Sequence, residues 1–88
     1  RETESAMTQF LQEEQRRQKL ARSITDLKES WRLADLRYRE GISTFLEVLD
    51  AERILYLEEL NLAQSRAQTT LYLIALYKAG QLEALLKD

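Results

Sequence analysis

Eighty-eight residues allow one small domain at most, and 13 basic against 15 acidic side chains leave a net charge of −2. With no cysteine and no histidine, disulfides, thiolate chemistry and the usual zinc sets are excluded, and the mixed charges give no footprint for nucleic acid. A chain this short usually needs disulfides, metals or association to be stable, so association is the option that remains.

Residues 1–8 are polar, with Thr3 or Ser5 as the candidate N-cap. From there to Glu40 the pattern is helical with a seven-residue beat. One column is Phe10, Arg17, Ile24, Trp31 and Tyr38; a second is Ala6, Glu13, Leu20, Leu27 and Ala34. Their three-residue offset places both on one stripe, as in a coiled coil. Glu13/Arg17 and Asp35/Arg39 are i,i+4 pairs on the flanks, and Arg16, Arg17 and Lys19 read as a solvated face.

The pattern then stops. Gly41 is one of only two glycines, there is no proline, and Ser43 and Thr44 follow. A glycine just past a helical run suits the left-handed residue of a helix C-cap, with Ile42 folding back onto Leu36. Thr44 to Glu47 reads as a capping box that opens a second helix. The turn therefore spans about 41–44, between helices over about 4–40 and 45–79.

The second helix repeats the beat with Leu46, Arg53, Leu60, Ala67 and Ile74 beside Leu49, Tyr56, Ala63, Thr70 and Tyr77. Folding the chain at residue 42 pairs Trp31 with Arg53, Ile24 with Leu60, Ala34 with Leu49 and Leu20 with Ala63. Large then faces small in several layers, which predicts an antiparallel hairpin in that register. Trp31 opposite Arg53 has two readings, a guanidinium over the indole or an arginine pointing outward. A further column, Val48, Leu55, Leu62, Thr69 and Leu76, lies roughly 100° round the helix from the Leu49 column. It has no partner in such a hairpin, so the chain is expected to associate through it. Gln81 to Asp88 is either a short extra turn packing Leu82, Leu85 and Leu86 or the stub of another element.

The fold class that follows is all-α: a long antiparallel two-helix coiled-coil hairpin over 1–88, tail 80–88 included, that associates into a larger helical bundle or barrel. Each helix of about 35 residues would span at least ~50 Å. No apolar run approaches bilayer length, no signal peptide is read, and a start at Arg1 rather than Met fits a processed product or a fragment. Catalysis has little footing without His or Cys, and no cofactor or metal is expected. Glu47 and Asp50 stand among the first residues of the second helix, where acidic side chains face the positive end of its dipole.

Arg37-Tyr38-x-x-Gly41, Leu46, Val48-Leu49-Asp50-Ala51-x-Arg53 and Leu76-Tyr77-Lys78-Ala79 together resemble the last helical hairpin of TolC/OprM-type outer-membrane efflux channels. The resemblance covers roughly 30–80. It departs from that pattern at Gly80 to Asp88, and the β-strands and most helices of such a channel are absent. It implies the periplasmic α-barrel hairpin of an outer-membrane protein, trimeric in the parent, one stave of a tunnel for exported small molecules in an efflux or type I secretion system. It also implies a tip, Arg39, Glu40, Gly41, Ile42, Ser43 and Thr44, that docks a periplasmic adaptor protein and through it an inner-membrane transporter. Glu47 and Asp50 would then ring the channel mouth, with Tyr38 near the contacts that keep it closed. The other readings stay open: Tyr38 as the last large residue of the seam, Glu47 and Asp50 as dipole partners, and the whole chain as a free-standing coiled-coil interaction module.

Overall fold

The computed structural model describes the backbone from Glu2 to Lys87 and the side chains from Ser5 to Gly80. Two helices, α1 (Glu2–Arg39) and α2 (Phe45–Lys87), make up nearly all of it and pack as a hairpin. Ser5 lies within α1 rather than at its start. Gly80 lies within α2, which continues past it. The expected packing of Leu82, Leu85 and Leu86, and the cap at Thr3, fall outside the described side chains.

The seam on α1 is the one its sequence announces. Ala6 and Ile24 are buried, and Phe10, Glu13, Arg17, Leu20, Leu27, Trp31 and Ala34 are partly buried along the same stripe. Its last member, Tyr38, is exposed.

The seam on α2 is not the expected one. Val48 at 2% and Leu62 at 8% exposure face α1, with Leu55, Thr69 and Leu76 in the same column. Ala51, Glu58, Ser65, Tyr72 and Ala79 complete the stripe, Ser65 at 0% exposure. Leu46, Leu49, Tyr56, Leu60, Ile74 and Tyr77 are all exposed. The column expected to lie bare is the one that packs, and the pairing of Ile24 with Leu60 is withdrawn: Ile24 is buried and Leu60 points outward. The reason is steric and polar together. The Val48 stripe sets Ala51, Ser65 and Ala79 toward α1, where small side chains let helices approach. The other stripe would place Arg53, Tyr56 and Tyr77 there instead.

The chain divides into two compact units. In the turn-side unit, Lys19–Leu62, the buried residues are Ile24, Val48 and Leu62. Across its seam the Ser23 hydroxyl donates to Glu58 Oε2 (2.8 Å), while within α2 Asn61 Nδ2 donates to Glu58 Oε1 (3.1 Å). Trp31 Nε1 donates to Glu52 Oε1 (3.0 Å) while Arg53 pairs with Asp50 (2.8 Å). The indole is therefore anchored by a carboxylate, and the guanidinium-over-indole reading is set aside.

In the other unit, which runs up to Gln18 and from Ala63 on, Ala6, Ser65 and Ala79 are buried. The Ser65 hydroxyl donates to Glu13 Oε2 at 2.6 Å, and Arg16 approaches the same oxygen at 3.1 Å. Arg17 holds Glu14 through two bonds of 2.9 and 2.7 Å. Among the described residues the ion pairs of this unit are thus i,i+3, and an i,i+4 pair stands at Asp35–Arg39 (3.0 Å) in the turn-side unit. A carboxylate in a helix seam is costly unless hydrogen-bonded; Ser65 and Arg16 supply those bonds to Glu13, whose side chain is 14% exposed.

These bonds hold the Glu13 carboxyl below the usual carboxylate range, the Ser65 hydroxyl being the largest cause, against an opposing contribution from burial. A carboxylate whose pKa falls on folding stabilises the hairpin above its unfolded pKa, and that stability is lost as pH falls through the folded value. Melting midpoints should therefore drop as pH is lowered from the ordinary carboxylate range downward. Ser65→Ala should cost about 1.5 kcal/mol near neutral pH, as expected for a hydrogen bond to a charged group that keeps a second donor. It should also flatten the acid limb of the midpoint-against-pH curve. An unchanged acid limb in Ser65→Ala would show that Glu13 is not held this way.

Candidate functional site

The turn closes α1 with backbone bonds of a defined kind. Gly41 has φ +76°, the left-handed region open to glycine. The Ile42 amide donates to the Arg37 carbonyl (2.8 Å) and the Gly41 amide to the Tyr38 carbonyl (3.0 Å). This six-to-one and five-to-two pair is the Schellman motif, which satisfies carbonyls that a helix end otherwise leaves open. The Ser43 amide also reaches the Arg37 carbonyl (3.3 Å). At the start of α2 the Glu47 amide donates to the Thr44 backbone carbonyl (3.1 Å). Thr44 thus stands at the N-cap position.

The cap leaves its apolar residue outside. Ile42 is 63% exposed and Leu36 44%, so Ile42 is not tucked onto the helix it follows. Beside it Phe45 and Leu46 are exposed, Leu46 at 75%. Tyr38 and Phe45 pack ring to ring across the turn, centroids 5.3 Å apart and tilted by 49°, a favoured aromatic geometry. Tyr38 therefore braces the turn rather than ending the seam. Sequence reasoning missed this pair; the signal was present as two aromatics flanking a four-residue turn.

Around this apolar end the polar residues form a rim. Arg39 is ion-paired to Asp35, Glu40 and Thr44 are exposed, and Ser43 is partly buried with its hydroxyl unpaired. Glu47 and Asp50 both face solvent. Asp50 is engaged by Arg53, whereas Glu47 has no ion pair among the described residues. All nine residues singled out in the sequence thus lie at or next to the turn, and only Ser43 is partly covered.

A second feature is the outward side of α2. Its exposed stripe, Leu46, Leu49, Tyr56 and Leu60 in the turn-side unit and Ala63, Ala67, Ile74 and Tyr77 in the other, lies roughly 150° round the helix from the buried one. The corresponding side of α1 is mixed: Arg22, Asp26, Glu29 and Arg32 are exposed there, and so are Leu11, Leu33 and Leu36. So α2 carries continuous apolar stripes on two opposite faces, whereas α1 carries one, with leucines scattered among charged residues on its outward side. A helix with two apolar seams needs a neighbour on each side. Among the described residues no cluster of acidic side chains is placed to hold a metal ion, and no helix is long and apolar enough to cross a membrane.

Comparison with protein families adds the deciding observation. Residues 1–80 match the family model described as outer membrane efflux protein. The chain belongs to the outer membrane efflux protein family. Searches of curated proteins and of solved structures each return no match. Membership makes the hairpin a helical part of an outer-membrane efflux channel family, whose members are transport components and not enzymes.

Proposed function

We propose that the hairpin is a stave of the periplasmic tunnel of a tripartite efflux or type I secretion channel, trimeric in the parent protein, and that its turn docks a periplasmic adaptor. Through that adaptor it would meet an inner-membrane transporter, and the tunnel would carry exported small molecules. The observation that carries this reading is the doubled apolar surface of α2. A tunnel wall needs helices with a neighbour on either side, and α2 has one face on α1 and another left for the next helix. The exposed Ile42, Phe45 and Leu46 beside the turn supply the apolar centre, and Arg39, Glu40 and Thr44 the polar rim, of an end-on contact.

At the mouth, Glu47 is the stronger candidate for a ring of carboxylates, because Asp50 is already paired with Arg53. Three-fold repetition of an unpaired carboxylate would favour cations at an opening.

The full-length channel tests this. Ile42→Asp places a charge on an exposed side chain and leaves Gly41 free to turn; Ser43→Arg is the poorer probe, since its hydroxyl is buried. Ile42→Asp should weaken adaptor binding at least tenfold and raise drug sensitivity, with normal trimer levels. Glu47→Gln with Asp50→Asn should change cation block or conductance, most of it from Glu47→Gln alone, and spare adaptor binding. If Ile42→Asp binds adaptor and exports normally, and the carboxylate variants conduct unchanged, a free-standing coiled-coil interaction module becomes the better reading.

A further inference from the structure

A hairpin built into a tunnel wall has two sides left over. In the turn-side unit one face of α2 lies on α1 and the opposite face is left for the next helix, so one flank between them points into the tunnel and the other away from it. Resting on the stave reading above, we infer that the flank carrying Ser23, Ser30, Ile54 and Asn61 lines the tunnel. The flank carrying Thr25, Lys28, Glu52 and Glu59 then faces outside.

Each flank is a shallow groove between the two helices. The first is lined by Ser23, Leu27, Ile54, Leu57 and Glu58, the second by Thr25, Lys28, Glu29, Trp31, Arg32 and Leu55. These linings fix which residues of α1 and α2 share a side, and the seven-residue repeat extends each column. Ser30 follows Ser23, and Asn61 follows Ile54, on the first flank. On the second, Glu52 accepts the indole N–H of Trp31 (3.0 Å), and Glu59 stands seven residues further on.

The two sides differ in chemistry. Along the first, Ser30, Ile54 and Leu57 are exposed and uncharged. Glu58, the charged residue of its lining, is partly buried, and its carboxylate accepts from Ser23 (2.8 Å) and Asn61 (3.1 Å). The second exposes Lys28, Glu29, Arg32, Glu52 and Glu59, with Arg32 held to Glu29 through bonds of 2.9 and 2.6 Å. Conduction needs contacts weak enough to release whatever enters, and fixed charges retain or repel ions. A neutral wall therefore suits the passage of molecules of differing charge, and charges of both signs suit a solvated exterior.

The turn end agrees. Glu47 stands seven residues before Ile54, and Asp50 seven before Leu57, so both carboxylates proposed for the mouth fall on the first flank. Successive members of a column lie about 10 Å apart along a helix. Glu47 would thus stand at the opening, with rings of Ile54 and Asn61 further in.

Thiol labelling of the full-length channel in planar bilayers tests the assignment, with the unsubstituted channel as control. Ser30→Cys, Ile54→Cys, Thr25→Cys and Glu59→Cys each replace an exposed side chain, and mass spectrometry reads how completely a bulky maleimide modifies them. Labels on Ser30→Cys and Ile54→Cys should lower single-channel conductance at least twofold. Equally complete labels on Thr25→Cys and Glu59→Cys should leave it unchanged. Ile54→Lys should shift ion selectivity toward anions, and Glu59→Lys should not. The reverse pattern, or block from both flanks, would overturn the assignment and leave the tunnel standing. Complete labelling with no effect from either flank would overturn the tunnel reading along with it.

Discussion

Leu62→Ala is expected to lower the unfolding free energy by about 2–4 kcal/mol at every protein concentration, as for other buried leucines truncated to alanine. Leu60→Ala, two residues away, should change only the part of the stability that depends on concentration. The contrast follows from placement: Leu62 is 8% exposed in the seam against α1, and Leu60 is 43% exposed on the outward face. Urea unfolding of both variants over a hundredfold range of concentration separates the effects, because linkage to association makes a midpoint concentration-dependent. The experiment decides which stripe of α2 holds the hairpin together. Were Leu60→Ala to cost the larger, concentration-independent amount, the seam would be the one that pairs Ile24 with Leu60.

The two glycines are expected to respond with opposite sign. Gly41→Ala should destabilise by about 1–2 kcal/mol, because an L-residue at φ +76° puts its Cβ too close to the following carbonyl. Nothing lies within 4 Å of the position that Cβ would take, so backbone strain alone sets the cost. Asparagine, which tolerates the left-handed region, should lose less than alanine. Valine should lose more, since a branched Cβ adds crowding. Gly80→Ala should instead stabilise by about 0.5–1 kcal/mol: Gly80 lies within α2, its added methyl also meets nothing, and glycine inside a helix leaves more chain entropy to lose on folding. Thermal unfolding of the two alanine variants checks both. A neutral Gly41→Ala would mean that the turn is not held by the left-handed cap.

Much of the fold is legible in the residues themselves. The turn at Gly41 followed from a glycine after a helical run, because the cost of a left-handed residue is local to that residue. The face of α1 that packs was legible as well, since its two columns three residues apart make one continuous stripe, whereas Leu11, Leu33 and Leu36 are scattered among charged and polar residues. The site residues at the turn needed only this topology to be brought together. The bracing of Tyr38 by Phe45 was not legible, because it depends on the path of four turn residues. Glu47 and Asp50 looked equivalent in the sequence, and only the Arg53 side chain, choosing Asp50 over Trp31, separates them.

The sequence by itself determined two long helices, a left-handed stop at Gly41, the seam of α1 and the family, all of which depend on periodicity or on residues close in the chain. Only the tertiary structure decided which apolar stripe of α2 faces α1. Both stripes repeat every seven residues, so periodicity cannot rank them. The choice rests on contacts between residues far apart: Glu13 with the buried Ser65 (2.6 Å), Ser23 with Glu58 (2.8 Å), Trp31 with Glu52 (3.0 Å). Small side chains at Ala51, Ser65 and Ala79 let α2 approach there, and the seam carboxylates find donors there. The bulkier stripe is left on the outside.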